Sequence, residues 1–480
     1  MTVVSDTPPQ PVVNRKAQAC AWAYALLVAF ALGHFLLGLP IQFSESFGNM
    51  QKLSTPWRDL IAGEFGQNAY LRPMLWAAQK LVYDLSNGNY FPWFRGFHVI
   101  QVVVLILLYL GLVRPRTWRD AAVLPLGLAV LLGLHTFAGT VREAFPINTF
   151  MTVLICCYSA AVIALGTYRW WHDIAAVLLL VAAALTLESG LLVGVIVIGA
   201  ALVGGRGVSR AGLAAVAALL AGYFYLRFVV LDVGLPGLIE RSSGYGFRIL
   251  EPPELIERFG SNPTWFYAYN VVTSAVSVLL TEPSGGAFNL TSAFLRDGLD
   301  ASMLVTVIAS GAVTALVGAF AWRRRAAWRS RRFDRDDQLV LLFLTVLFAN
   351  ALISYAYTKD VIMSPAGAFL AVAAFIACRS VLASLPAHVS GRTAAISVVA
   401  AFLVSMAWAN RVLETHALLR SAAFVERNAW AYVPSHLQEQ GVAVTPQAAR
   451  LLRTLHDDAL FRYPPPPAIV LPSVRLLVEE

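Results

Sequence analysis

The stretch Phe97-His-Val-Ile-Gln-Val-Val-Val-Leu-Ile-Leu-Leu-Tyr-Leu-Gly-Leu-Val113 is apolar almost throughout, and Arg114-Pro-Arg-Thr-Trp-Arg119 follows at once. An uninterrupted apolar run of roughly 17–25 residues is what a helix needs to cross a hydrocarbon layer. In lipid every backbone N–H and C=O must be satisfied within the chain, so such a run is a helix or part of a closed barrel. Barrel strands alternate polar and apolar residues; this stretch does not, and it reads as a transmembrane helix.

The pattern repeats. Runs of the same kind occupy residues 20–39, 121–137, 149–167, 211–230, 301–321, 339–357, 361–378 and 393–410. Two stretches are open. Residues 174–203 carry Glu188 near their middle and are either one long span or a hairpin of two short ones. Residues 265–280, rich in Tyr, Asn and Ser, are either a span or a helix lying at the interface. The fold class expected is therefore all-α, a polytopic transmembrane helical protein. Hydrophobic residues form 58% of the 480 and charged residues 13%, about half the charged share of a soluble domain. The mean hydropathy is +0.65.

The net charge of +8 does not point to nucleic acid. The positive charge gathers between apolar runs, chiefly at Arg323, Arg324, Arg325, Arg329, Arg331, Arg332 and Arg335, as the positive-inside rule expects of a cytoplasmic loop. Arg15 and Lys16 then place the N-terminus inside. Arg114, Arg116 and Arg119, and then Arg169, mark further inside loops. An even number of spans must precede the Arg323–Arg335 cluster. A hairpin at 174–203 with an interfacial helix at 265–280 satisfies this, and so does one long span with a true span. Both give 11 spans; the first is preferred because it also puts Arg206 and Arg210 inside. The expected organisation is an inside segment 1–19, a transmembrane domain 20–410 with outer segments 42–95 and 232–300, and a small outer tail 411–480. The apolar first run has no small-residue cleavage site after it and is expected to be retained. Cys20, Cys156, Cys157 and Cys378 lie in or at the ends of apolar runs and read as small core residues. His34, His98 and His135 lack metal-site spacing and read as satisfied polar groups. No metal site is expected.

The first outer segment carries the chemistry. Gln42-Phe-Ser-Glu-Ser puts Glu45 at the membrane surface, and Arg72 stands beside a rigid proline in Tyr70-Leu-Arg-Pro-Met, with Glu64 as a secondary carboxylate. A carboxylate can take a hydroxyl proton, and arginine can hold a phosphate; the alternative is a set of ordinary interfacial anchors. Glu143, beside Arg142, reads alone as a surface ion pair. Glu188 is a functional intramembrane carboxylate or a paired structural one. Arg227 snorkels to the interface in the simple reading. Lys359, with Asp360, is a turn residue or a second cation facing a phosphate.

In order along the chain these features resemble the GT-C superfamily of polyprenyl-phosphate-sugar-dependent glycosyltransferases, nearest the protein O-mannosyltransferases and the transmembrane-and-TPR O-mannosyltransferases. Tyr70-Leu-Arg-Pro-Met resembles that group's Tyr-Arg-Pro-Leu element with one residue inserted, and Phe97-His-Val-Ile-Gln-Val the start of its second span. Glu143 in Val-Arg-Glu-Ala-Phe falls where the family has a glutamate. Leu187-Glu-Ser-Gly-Leu resembles its Lys-Glu-Thr-Gly element, with Leu187 in place of lysine. Tyr225-Leu-Arg-Phe resembles its Tyr-x-x-Arg. The tail has no TPR array. The resemblance implies inverting transfer of a sugar from a polyprenyl-phosphate donor to a protein, lipid or glycan hydroxyl at the outer face of the cytoplasmic membrane. Glu45 would be the base, assisted by Glu143. Arg72, Arg227 and Lys359 would hold the carrier phosphate, and no cofactor would be required. A lipid-linked-sugar transporter and a non-catalytic scaffold are the competing readings.

Overall fold

In a computed structural model, the described residues are 13–39, 52–65, 71–133, 149–231, 242–247, 249–280, 286–296, 298, 301–358, 360–384, 399–401 and 403–413, with a few single positions beyond. Glu45, Glu143 and Lys359 lie outside them, as does most of the tail. Among the described residues the secondary structure is helical, and three isolated bridges stand in place of a sheet.

The elements are α1 (Arg15–Leu37), α2 (Trp57–Ala62), α3 (Pro73–Ser86), α4 (Tyr90–Val113), α5 (Trp118–Gly133), α6 (Thr149–Ala164), α7 (Trp170–Ala184), α8 (Leu192–Leu202) and α9 (Arg210–Tyr225). They continue with α10 (Pro252–Phe259), α11 (Thr264–Leu280), α12 (Gly286–Arg296), α13 (Ala301–Arg329), α14 (Arg335–Ile353) and α15 (Ser364–Ala383). Among the described residues six helices are long and apolar enough to cross a membrane, and shorter apolar helices accompany them. The chain is an integral membrane protein of many helices.

Local chemistry sets the helix ends. The Asn14 side chain accepts from Ala17 N at 3.1 Å, and Ser209 Oγ accepts from Gly212 N at 3.1 Å. Asp334 and Asp337 form a reciprocal capping box at the start of α14. Arg114 ends α4 in the left-handed region at φ 46°.

α15 is the axis of the bundle. Every residue from Ser364 to Cys378 is buried, and most are Ala, Gly or Ser. Small residues let neighbouring helices approach closely where no hydrophobic force between helices exists. Two buried tyrosines use that closeness: Tyr109 Oη donates to Ala371 O at 3.3 Å and Tyr158 Oη to Ala368 O at 2.6 Å. Asn350 holds the start of α15, donating to Ile362 O at 3.0 Å and accepting from Ala366 N at 3.2 Å.

Helix ends are tied at the basic end of the bundle. Arg379 bridges Asp336 on α14 and Asp120 on α5, and also donates to Val113 O. Arg324 pairs with Asp334 and Asp337, and Trp328 Nε1 donates to Asp337 at 2.8 Å. Gly207 N donates to Ala164 O at 3.0 Å, joining the end of α6 to the start of α9.

Residues 174–203 form two helices, α7 and α8, joined by a turn and a short 3₁₀ helix at Glu188–Leu191. Both ends of this hairpin return to the basic end. α11 packs against α13 and α14. Asn270 donates to Ser243 O and Tyr355 O, while Ser310 and Thr314 of α13 donate to Leu280 O and Leu279 O at the C-terminal end of α11. The described part of the segment 232–300 docks on the α14–α15 turn through backbone bonds: Ser243 N donates to Ala356 O and Thr358 N to Ser243 O, both at 3.1 Å.

One sequence expectation changes. The Arg323–Arg335 cluster is not a loop for most of its length, because α13 stays helical through Arg329. α4 begins at Tyr90, so the aromatic residues 90–94 form its first turns.

Tyr158→Phe is expected to lower the unfolding free energy in mixed micelles by about 0.6 kcal/mol, the typical size of an interhelical hydrogen bond in a membrane bundle. Gly127→Ala should cost more, about 1–3 kcal/mol, because its Cβ would lie 2.0 Å from Tyr109 Oη. Equal losses in the two variants would contradict close packing as the stronger constraint.

Candidate functional site

The end opposite the basic one gathers charged side chains from three distant parts of the chain. Arg72 precedes α3, whose first turn is fixed by Pro73 and by Met74 N donating to Leu185 O at 3.0 Å. That bond places Arg72 against the tip of the α7–α8 hairpin.

The tip is tightly built. Thr186 N and Leu187 N both donate to Ala183 O at 3.0 Å, and Thr186 Oγ1 donates to Ala182 O. Leu187 is extended, and Gly190 N donates back to Leu187 O at 2.8 Å. A Cβ at Gly190 would lie 2.0 Å from Ala183 O, a backbone atom. Glycine is the residue that lets this turn form, and the turn aims Glu188 at Arg72.

Arg227 arrives from α9. The helix widens to a one-turn π-helix at Leu226–Val230, closed by Leu231 N donating to Leu226 O. Such widenings recur at functional positions. Arg227 is buried, which corrects the snorkelling expectation. Its guanidinium donates to Tyr223 Oη at 3.2 Å and pairs with Glu188 Oε1 at 3.5 Å. Arg72 Nη2 lies 2.6 Å from Glu188 Oε2. Glu188 thus stands between two guanidiniums. The side chains of Arg72 and Glu188 are 27% and 22% exposed against 5% for Arg227, so the cluster is open on the Arg72 side.

Glu64 is buried beside this group. It accepts from Lys52 Nζ at 3.1 Å and from the backbone N of Arg72 at 3.3 Å. Lys52 also sits 3.9 Å over the Trp76 ring. A carboxylate so engaged positions Arg72 and is badly placed to take a proton. A further carboxylate, Asp84, accepts from Trp57 Nε1 at 2.8 Å and Lys80 Nζ at 2.6 Å.

Of the expected site residues the structure brings together Arg72, Arg227 and Glu188. It places Glu64 against the Arg72 backbone. The expectation that His98 is satisfied is overturned: it is buried on α4 and neither ring nitrogen has a hydrogen-bond partner. Among the described residues no group of His, Cys, Asp and Glu has the makings of a metal site. The four cysteines are free, three buried and Cys20 exposed. The clamp by Asn270, an amide buried in an apolar helix, escaped the sequence reading. Its one signal was its polarity within the run 265–280. Comparison with protein-family models, with curated proteins and with solved structures finds no match to this chain.

Gly190→Ala must displace the Ala183 carbonyl and with it the hairpin tip. A lowered thermal midpoint, together with loss of protection of the tip in hydrogen exchange, is expected. A variant as stable as wild type would show that the turn tolerates a Cβ.

Proposed function

We propose that the chain is a GT-C-like glycosyltransferase of 11 spans, with the Arg72–Glu188–Arg227 cluster on the outer face of the cytoplasmic membrane. The observation that carries this reading is the convergence of Arg72 and Arg227 on one partly open site at the end opposite the arginine-rich one. The hairpin of α7 and α8 supports the span count in which Arg206 and Arg210 lie on the cytoplasmic side with the Arg323–Arg335 cluster. The arms of the hairpin are short: α7 rises about 22 Å against roughly 30 Å of hydrocarbon. The cluster is therefore recessed below the membrane surface, at the depth of a lipid phosphate drawn inward.

In the proposed reaction an acceptor hydroxyl oxygen bonds to the anomeric carbon of the sugar. The bond from that carbon to the phosphate oxygen breaks, and its electron pair leaves on the polyprenyl phosphate. The hydroxyl proton passes to a carboxylate, for which Glu45 is the first candidate and Glu143 the second. Arg72 and Arg227 neutralise the charge that grows on the phosphate, and stabilisation of that kind is commonly what lowers such a barrier most. Lys359, outside the described residues, is a third candidate cation. No required metal enters this scheme.

Transfer from a radiolabelled polyprenyl-phosphate sugar, in membranes with matched expression, tests the proposal. Glu45→Gln is expected to lose about 10²–10⁴ in rate. Arg72→Ala should weaken donor binding, with Arg72→Lys rescuing in part because a point charge cannot reproduce the guanidinium fork. Full transfer activity in both the Glu45 and Arg72 variants would remove these residues from the reaction, and absence of transfer by wild type would favour a transporter. The non-helical turn at membrane depth is the feature that favours that second reading, and movement of intact lipid-linked sugar across vesicles without transfer would establish it.

Topology is tested separately by cysteine labelling at Ser330. Protection from an impermeant reagent in intact cells, and labelling after permeabilisation, are expected. Labelling of intact cells would invert the orientation and put the cluster on the wrong face.

A further inference from the structure

At the basic end of the bundle the arginines fall into two groups. Arg379 engages both Asp120 and Asp336 and also donates to Val113 O. Asp120 is held further by the backbone N of Arg116 and of Thr117, both at 2.8 Å. Arg324 pairs with Asp334 and Asp337. Among the described residues Arg114, Arg116 and Arg335 have no carboxylate partner for their side chains. Arg114, in the left-handed region after α4, is exposed, and its Nε donates to Gly111 O at 3.3 Å. Arg116 stands two residues on in the α4–α5 turn, half-buried.

Arg335, the first residue of α14, lacks partners inside the protein. Its Nη1 donates to Leu165 O at 2.8 Å, but Nε and Nη2 are buried with no hydrogen-bond partner. The charges of Arg114, Arg116 and Arg379 all bear on it, against that of Asp336. Buried donors of a charged group are costly to leave unmade, and like charges brought together add to that cost. A water molecule satisfies the donors and leaves the repulsion. A phosphate removes both, because it brings negative charge and several acceptor oxygens for charge-assisted bonds.

Depth identifies the source of the phosphate. Trp118 at the start of α5 and Trp170 at the start of α7 stand at this same end, 55% and 72% exposed. Exposed tryptophans gather at the level of lipid headgroups, and basic pockets between membrane helices take headgroup phosphates. We propose that Arg114, Arg116 and Arg335 form a site for the phosphate of an anionic phospholipid in the leaflet at the basic end. The bound headgroup joins the α4–α5 turn to the start of α14, so the membrane itself supplies a tie between helices far apart in sequence. The site lies at the end opposite the Arg72–Glu188–Arg227 cluster and does not rest on the glycosyltransferase reading.

The test uses the full-length protein in a neutral maltoside detergent, with phosphatidylglycerol, phosphatidylcholine of the same acyl chains, or inorganic phosphate added. Native mass spectrometry reads retention of lipid. Thermal melting reads stabilisation, since a ligand that binds only the folded state raises the midpoint. Phosphatidylglycerol should be retained and should raise the midpoint, and neither of the other two should match it. Equal retention of phosphatidylcholine, or an equal rise with inorganic phosphate alone, overturns the proposal, and neither measurement needs a variant to fold. The double variant Arg114→Gln/Arg116→Gln should bind phosphatidylglycerol more weakly by about tenfold or more. Arg331→Gln/Arg332→Gln removes the same charge from exposed positions and should bind as wild type does. Equal losses in the two double variants overturn the proposal, because a diffuse basic surface responds in that way. Arg335→Gln should melt no lower than wild type without lipid and should lose the lipid-induced rise. A lower midpoint with the rise intact is the behaviour of a helix cap and also overturns it.

Discussion

Close approach of helices to α15 is the constraint on which the other arrangements rest. In hydrocarbon, apolar side chains gain nothing by leaving lipid for protein, so helices associate through contact area and the few hydrogen bonds they can share. The alanine-rich face of α15 supplies the contact area. Tyr109 and Tyr158 supply the bonds, reaching its backbone carbonyls across the interface. Larger residues there would push α4, α5, α6 and α14 outward, and the side chains at both ends of the bundle would lose their partners.

The two ends divide the charged residues differently. At the basic end, arginines and aspartates pair closely: Arg379 bridges α5, α14 and α15, and Arg324 joins α13 to α14. Those contacts fasten helix termini and leave the remaining arginines of α13 exposed. At the opposite end, Arg72 and Arg227 both pair with Glu188 and the site stays partly open.

The helical character of the chain and most of its apolar runs are legible in the sequence, because hydropathy reports directly on residues that face lipid. It is a poor guide to helix ends. α13 runs on through Arg329 and α4 starts at Tyr90, since a helix can leave the hydrocarbon without ending. The break at Glu188-Ser-Gly190 is also legible, as a carboxylate and a glycine inside an apolar run. Pairing is another matter. Arg72 and Glu188 are 116 positions apart, and nothing in either neighbourhood names the other. Arg227 reads as a snorkelling cation because its burial depends on a π-turn, which leaves no composition signal. The residues expected to act as bases, Glu45 and Glu143, lie outside the described residues.

Ser242, Ser243 and Leu250 fasten their segment to the α14–α15 turn by main-chain groups: Ser243 N and O meet Ala356 O and Thr358 N, and Ser242 and Leu250 pair with each other. Main-chain bonds of that kind do not depend on side-chain identity, although Gly244 and Gly246 beside them leave no room for a Cβ. Over evolutionary time such a segment can exchange many of its other residues while keeping its course over the helices beneath. Relatives of this protein can then share its architecture while little likeness survives in their sequences here, and kinship would be traced more surely through the path of the backbone than through the letters of the chain.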